Sequence, residues 1–127
     1  ARTADVVTSA VPLTAETTDL YNAEFFAVLK PTALFINIAR GGSVDTDALI
    51  AALNEGRLGG VGLDVTDPEP LPPGHPLWSS PRALITPHIA GRSDFPDDAR
   101  WNIAAENLRR YVAGEKMLNS VDLQRGF

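Results

Sequence analysis

The sequence predicts an α/β protein built around a parallel β-sheet, and three features of the chain lead to this prediction. Short apolar segments rich in β-branched residues alternate with segments whose apolar residues recur at helical spacing. The apolar segments are continuous rather than alternating, which is typical of strands buried on both faces. Their order, with a helix between successive strands, implies right-handed crossovers within one sheet.

The first strand is predicted at residues 5–11 and ends at Pro12. Asn22 is a suitable N-cap for a short helix, and Glu24 would stand near the positive end of its dipole. Lys30 ends this helix, because the residue before a proline is pushed out of the helical region. Its apolar face is formed by Phe25, Phe26 and Leu29.

A second strand is predicted at residues 33–38 and leads into residues 41–42, where two adjacent glycines permit a tight turn. Asp45 is the expected N-cap of the next helix, and Gly56 is expected to end it. The inner face of this helix is formed by Ala48, Leu49, Ala52 and Leu53. A third strand follows at residues 60–65.

Residues 67–87 hold seven of the ten prolines, which predicts a stiff loop rather than a flexible linker. A fourth strand is expected at residues 83–86.

The last long helix is predicted to begin between Ser93 and Pro96 and to end at Gly114. Its apolar residues recur at spacings of three and four: Trp101, Ala104, Ala105, Leu108, Tyr111 and Val112. Residues 116–127 are expected to be an extended segment that docks elsewhere.

The composition of the 127 residues excludes several classes of function. A net charge of −5 without a basic stripe argues against binding to nucleic acid. No apolar run reaches the ~18 residues that indicate a membrane span. The chain has no cysteine, which rules out disulfides and thiolate sites and fits a cytoplasmic protein. No metal site is predicted.

Candidate functional residues follow the predicted strands, because ligands of open parallel sheets bind beyond the carboxyl ends of the strands. Four segments lie there, and we expect the polar side chains of three of them to meet in one crevice. The segments are residues 11–12, residues 38–40, Asp64 and residues 86–88.

Each polar residue also has an ordinary explanation when it is considered alone. Arg40 could be a surface arginine paired with an acid, and Asp64 could cap a turn. His88 could be a half-buried histidine with its hydrogen bonds satisfied, and Glu69 a solvated loop acid. Two tryptophans, Trp78 and Trp101, are expected to be packing residues.

Five segments in register resemble the carboxy-terminal part of the D-isomer-specific 2-hydroxyacid dehydrogenases. They are VPLT at 11–14, INIARGGSVD at 36–45, GLDV at 62–65, EPLP with HPLW at 69–78, and TPHIAG at 86–91. The resemblance covers the chain from about residue 4 to residue 110. It implies that residues 1–92 are the second half of a Rossmann-type doubly wound NAD(P)-binding domain. Residues 93–127 would be the return helix and tail toward a substrate domain.

The family's Gly-rich turn, G-x-G-x-x-G, does not occur in this sequence. In the family this turn comes directly after the first strand of the cofactor domain. The glycines at residues 41–42 follow a different strand, and those at residues 59–62 precede a strand instead of following one. The sequence also begins without an initiator Met or a signal-type apolar stretch. We therefore expect a fragment of an oxidoreductase that, on its own, is poorly folded or self-associating and catalytically silent.

The resemblance implies a catalytic triad of Arg40, Glu69 and His88. His88 would donate a proton to the alkoxide that forms when a 2-keto acid is reduced. Glu69 would stabilise the imidazolium and orient the ring, and Arg40 would hold the substrate carboxylate. NAD or NADP is the implied cofactor. Its contacts would be Val11, Pro12, Ile38, Ala39, Arg40, Asp64, His88, Ala90 and Gly91, with Asp64 at the nicotinamide amide.

Glu69 resembles the 2-hydroxyacid enzymes rather than the formate dehydrogenase branch, which has Gln at the matching place. The surrounding segment looks most like glyoxylate/hydroxypyruvate reductases, and phosphoglycerate dehydrogenase stays open. A small 2-keto or 2-hydroxy acid is the implied partner, in a homodimeric complete protein. The alternative is a non-catalytic, nicotinamide-sensing protein similar to the corepressors related to these dehydrogenases.

Overall fold

A four-stranded parallel sheet organises the first part of the chain. The computed structural model describes residues 1–92 and 98–124. The strands lie in chain order: β1 (Val6–Ser9), β2 (Leu34–Asn37), β3 (Gly60–Leu63) and β4 (Ala83–Ile85). The predicted α/β class with a parallel sheet is therefore confirmed. Each strand is shorter than the sequence predicts, because the apolar segments continue past the last residue that pairs with a neighbouring strand.

The chain divides into two compact units, Ala1–Ala90 and Gly91–Phe127. The sheet lies in the first unit together with three helices: α1 (Ala23–Ala27), α2 (Thr46–Asn54) and α3 (Pro76–Ser79). The helix α3 lies inside the proline-rich segment that the sequence predicts to be a loop. Pro76 begins it and His75 caps it, so proline here starts a helical turn.

The predicted helix caps are confirmed. Asn22 Oδ1 accepts a hydrogen bond from the Phe25 N–H at 3.1 Å, and Asp45 Oδ1 accepts one from the Ala48 N–H at 2.9 Å. Gly56 follows α2 with φ +70°. Helix α1 ends at Ala27 rather than at residue 30, because the last turn tightens into hydrogen bonds between residues three apart.

The core of the first unit lies on one face of the sheet. Phe26, Phe35, Leu49 and Leu58 are fully buried there, packed with Leu77 of α3. The opposite face carries no helix of this unit among the described residues. Val6, Leu34 and Leu84 point out from that face and are exposed, so the prediction of strands buried on both faces is wrong for this unit.

The second unit contains one long helix, α4 (Asp98–Val112). Its predicted beginning between Ser93 and Pro96 lies outside the described residues. Gly114, with φ +69°, ends the helix as predicted. Residues 116–124 form no strand: the Asn107 side chain donates to the Leu118 carbonyl at 3.1 Å and accepts from its N–H at 2.7 Å. These bonds tie the predicted extended tail back to α4.

Within the described part of the chain, no helix combines the length and the apolar character needed to cross a membrane.

Candidate active site

A buried carboxylate organises the carboxyl edge of the sheet. Asp64 follows β3 directly and is only 6% exposed. Its Oδ1 accepts from the Thr86 hydroxyl at 2.6 Å and from the Ile89 N–H at 2.9 Å, and its Oδ2 accepts from the Ala90 N–H at 2.8 Å. These bonds, led by that from Thr86, lower the pKa of Asp64 below its ordinary value. The carboxylate is therefore anionic at neutral pH.

His88 and Glu69 form a hydrogen-bonded pair beside this carboxylate. Nδ1 of His88 lies 2.7 Å from Oε1 of Glu69, although 19 residues separate them in the chain. The hydrogen bond from His88, followed by the Thr66 N–H, lowers the pKa of Glu69. Because an ionised carboxylate can only accept, Nδ1 carries the proton of this bond. The other ring nitrogen, Nε2, is then the one that can exchange a proton with a ligand.

The pair opens into a cavity of about 350 Å³. Its lining combines a few polar and ionisable side chains with apolar ones, as is typical of small-molecule sites. The lining residues are Asp64, Thr66, Glu69, Pro70, Leu71, Trp78, Ile85, Thr86, Pro87 and His88.

Sequence reasoning predicted a site role for three of these ten residues, Asp64, Glu69 and His88. Among the others, it did not single out Thr66, it named Thr86 only as part of the segment 86–88, and it assigned Trp78 to packing. Trp78 is exposed on the cavity wall and donates from Nε1 to the Pro72 carbonyl at 3.1 Å. The position of Thr86 at the end of a predicted strand and two residues before His88 was the available signal.

Arg40 lies at the end of β2 and is not among the residues that line this cavity. Its side chain is exposed, and Nη1 donates to the carbonyl of Ala39 at 2.7 Å. The Arg40 carbonyl accepts from the buried Asn37 amide at 2.9 Å and from the Ser43 hydroxyl at 2.8 Å. The main chain at Arg40 is thus held by Asn37 of β2 and by Ser43, and Ala39 is the one partner of its guanidinium within the described part of the chain. The structure does not bring Arg40 into a hydrogen bond with Glu69 or His88.

The remaining predicted cofactor contacts are spread along the ends of the strands. Pro12 and Ile38 are exposed, Val11 is half-buried and Ala39 is buried. Ala90 is exposed and engages Asp64 through its N–H. Gly91 belongs to the second unit, where an added Cβ would meet no atom within 4 Å.

The residues at this edge fit the nicotinamide end of a dinucleotide. Exposed Ile38 offers an apolar surface, and the Glu69–His88 pair lies at the same end of the strands. The pyrophosphate end would need a Gly-rich turn, which this sequence lacks. The described residues contain no cluster of three or more His, Asp or Glu suited to a metal ion.

Residues 1–90 match the sequence model of a protein family described as D-isomer specific 2-hydroxyacid dehydrogenase, NAD binding domain. A glyoxylate reductase of Thermofilum pendens is 45% identical over 87% of this chain, which covers 33% of that protein. A human glyoxylate reductase/hydroxypyruvate reductase is 41% identical over 94% of this chain and 36% of its own length. The chain thus spans about a third of the length of these curated relatives.

A solved structure shares the fold. The D-isomer specific 2-hydroxyacid dehydrogenase of Xanthobacter autotrophicus Py2, determined with NADPH and MES, superposes with a TM-score of 0.92 at 45% identity. The match covers 99% of this chain and 51% of that one. At this identity the likeness extends beyond the fold to the sequence.

Proposed function

Because this chain belongs to the D-isomer specific 2-hydroxyacid dehydrogenase family, we propose that it carries the acid–base pair of an NAD(P)-dependent dehydrogenase. The reaction would interconvert a small 2-keto acid and the corresponding D-2-hydroxy acid. The similarity to proteins named glyoxylate reductase and hydroxypyruvate reductase supports glyoxylate and hydroxypyruvate as the first substrates to test.

The hydrogen bond between Glu69 and His88 is the observation that carries this proposal. When bound, NAD(P)H supplies the hydride that reduces the carbonyl carbon. His88 gives a proton from Nε2 to the carbonyl oxygen, and the ring regains one from solvent. In the reverse direction, Nε2 accepts the hydroxyl proton. Reduction therefore consumes one proton for each hydride transferred.

Glu69 supports this proton transfer in two ways. Its carboxylate, whose pKa the hydrogen bond from His88 lowers, places a negative charge 2.7 Å from Nδ1 of the ring that exchanges the proton. Its bond to Nδ1 also fixes the plane of the ring, so that Nε2 faces away from Glu69. The role of Glu69 is therefore electrostatic and orienting.

Arg40 is the residue we assign to the substrate carboxylate. Its guanidinium is exposed at the carboxyl edge of the sheet, and among the residues that the structure describes it donates only to the Ala39 carbonyl. A planar fork of donors matches a carboxylate in two parallel hydrogen bonds. Such a contact would orient the carbonyl carbon of the substrate for reduction.

The family resemblance also supports a division of the chain between two domains of the complete protein. Residues 1–92 would be the second half of the cofactor domain, and residues 93–127 would return toward a substrate domain. NAD or NADP would contact the strand ends that include Val11, Pro12 and Ile38. The complete protein would be a homodimer, as family members usually are, and its lack of cysteine in this part of the chain suits the cytoplasm. The alternative, a nicotinamide-sensing corepressor, is not favoured, because the relatives described above are named as reductases.

The substitution His88→Asn tests the proposed function in the complete gene product that contains this sequence. We expect kcat for glyoxylate and hydroxypyruvate to fall by roughly 10²–10⁴-fold, the usual contribution of a general acid. Binding of NADPH, measured by fluorescence titration, should be retained. Absence of turnover in the parent protein with either cofactor would refute the proposal, as would full activity in the variant.

A further inference from the structure

The segment that carries His88 has an unusual backbone. His88 has φ +54°, in the left-handed region that residues other than glycine rarely adopt. A backbone held there needs contacts that over-determine it. The position of the imidazole therefore depends on the hydrogen bonds of the surrounding main chain.

Asp64 supplies those contacts to three consecutive residues. Its main-chain carbonyl accepts from the His88 N–H at 3.0 Å. Its carboxylate oxygens accept from the Ile89 N–H and the Ala90 N–H, one on each oxygen. This division requires one orientation of the carboxylate plane, because a carboxylate turned about its Cβ–Cγ bond by a quarter turn would present neither oxygen to its amide.

Thr86 is the side chain that fixes this rotation. Its hydroxyl donates to Asp64 Oδ1 at 2.6 Å, a short charge-assisted bond. The main chain of Thr86 is itself anchored to the sheet, since its N–H donates to the Leu63 carbonyl at 2.9 Å. Its carbonyl accepts from the His88 N–H at 3.0 Å. The hydroxyl thus links a rigid strand end to the carboxylate that shapes the loop.

We propose that Thr86 is a positioning residue for the catalytic histidine. Its hydroxyl orients the Asp64 carboxylate, which in turn holds residues 88–90 in the conformation that brings the His88 ring against Glu69. The proposal rests on the proposed function for its catalytic consequence, but the hydrogen-bonded link can be tested without turnover.

The test compares Thr86→Val with Thr86→Ser in the complete gene product. Valine keeps the shape and loses the hydroxyl, whereas serine keeps the hydroxyl. In Thr86→Val we expect amide exchange of Ile89 and Ala90 to accelerate roughly tenfold in the cofactor-free protein, and kcat to fall by a similar factor. Thr86→Ser should restore both. Thr8→Val is the matched control: Thr8 is exposed on β1, and its hydroxyl makes none of the described side-chain hydrogen bonds.

The outcomes separate the two proposals. Wild-type exchange and wild-type kcat in Thr86→Val would overturn the role of Thr86 and leave the proposed function standing. A parent protein without turnover would overturn the proposed function, while the exchange of Ile89 and Ala90 would still decide whether the hydroxyl holds the loop. If Thr86→Val fails to fold, Thr86→Ala removes the hydroxyl without placing a methyl group against the carboxylate and takes its place.

Discussion

The acidic residues of the site differ in their exposure, and this separates their roles. The side chains of Glu69 and His88 are 41% and 48% exposed, so the hydrogen bond between them contributes little to stability and acts mainly by orienting the ring. Asp64 is buried, and its hydrogen bonds to Thr86, Ile89 and Ala90 hold the main chain around His88. We therefore expect substitutions of Glu69 to affect turnover and substitutions of Asp64 to affect stability as well.

The contribution of Asp64 to stability should depend on pH. The pKa of Asp64 in the folded chain lies below its ordinary value of 3.8. At pH values between these two pKa values, the unfolded chain therefore binds more protons than the folded chain. The stabilisation is complete above pH 3.8 and is lost as the pH falls through the lowered pKa. The difference in unfolding free energy between wild type and Asp64→Asn should be large at pH 7 and should narrow by pH 3.

Urea denaturation of both proteins at several pH values measures this difference. Asp19→Asn, which alters an exposed carboxylate, is the control and should show no comparable loss at pH 7. A gap for Asp64→Asn that stays constant from pH 7 to pH 3 would contradict the assigned stabilisation of the ionised form.

At the scale of elements, the turn after β2 packs closely against the segment that follows β3. Residues Gly41–Ser43 form a single 3₁₀ turn, and Gly41 is buried. A Cβ on Gly41 would lie 2.0 Å from the Thr66 carbonyl oxygen and 2.6 Å from the Asp67 N. Both neighbours are main-chain atoms that cannot rotate away. The close approach matters for the site, because the Thr66 N–H donates to Glu69.

The substitution Gly41→Ala should therefore destabilise the protein and disturb the site together. We expect a loss of roughly 2–3 kcal/mol of unfolding free energy from overpacking, with a fall in kcat as Thr66 moves. Urea denaturation and steady-state kinetics on the complete gene product provide the two measurements.

Gly42→Ala is the matched control at the next position. The nearest atom to its added Cβ would be Leu13 Cδ2 at 3.3 Å, at the end of a side chain that can move. The loss of unfolding free energy in Gly42→Ala should stay below about 1 kcal/mol. If Gly41→Ala and Gly42→Ala lowered the unfolding free energy and kcat equally, the contact with Thr66 would not be the cause of the loss.

At the scale of the whole molecule, the sheet is covered on one face only within its own unit. Leu84 is 70% exposed, and Val6 and Leu34 stand on the same open face. The edge strand β1 also has unpaired main-chain groups along one side, as any edge strand does. Apolar faces of this kind favour association with other surfaces.

The 127-residue chain expressed by itself should therefore self-associate and show no turnover. We expect the sedimentation coefficient to rise with protein concentration, because the open face of the sheet finds other copies. Reduction of glyoxylate with NADPH should not exceed the blank, because the sequence supplies no Gly-rich turn for the pyrophosphate. A monomeric preparation of this length with measurable turnover would refute both expectations.

Much of the fold could be predicted from local sequence. Asn22, Asp45, Gly56 and Gly114 fix helix ends through their own hydrogen bonds or backbone conformations, which neighbouring residues alone determine. Strand lengths could not be predicted in the same way, because a strand ends where its partner ends. The short helix at Pro76 differs from the predicted loop, because proline breaks a helix in its interior but is favoured at its first position.

The sequence by itself determined the order of elements, the parallel sheet and, through its motifs, the family to which the chain belongs. The resemblance already implied that Glu69 meets His88, whereas only the tertiary structure decided that Arg40 stays outside their cavity and that Thr86 and Asp64 hold the loop that carries His88. The physical reason is the range of the interactions involved. Caps and turns act over three or four residues, whereas these contacts join strand ends and loops that only the folded sheet brings within hydrogen-bonding distance.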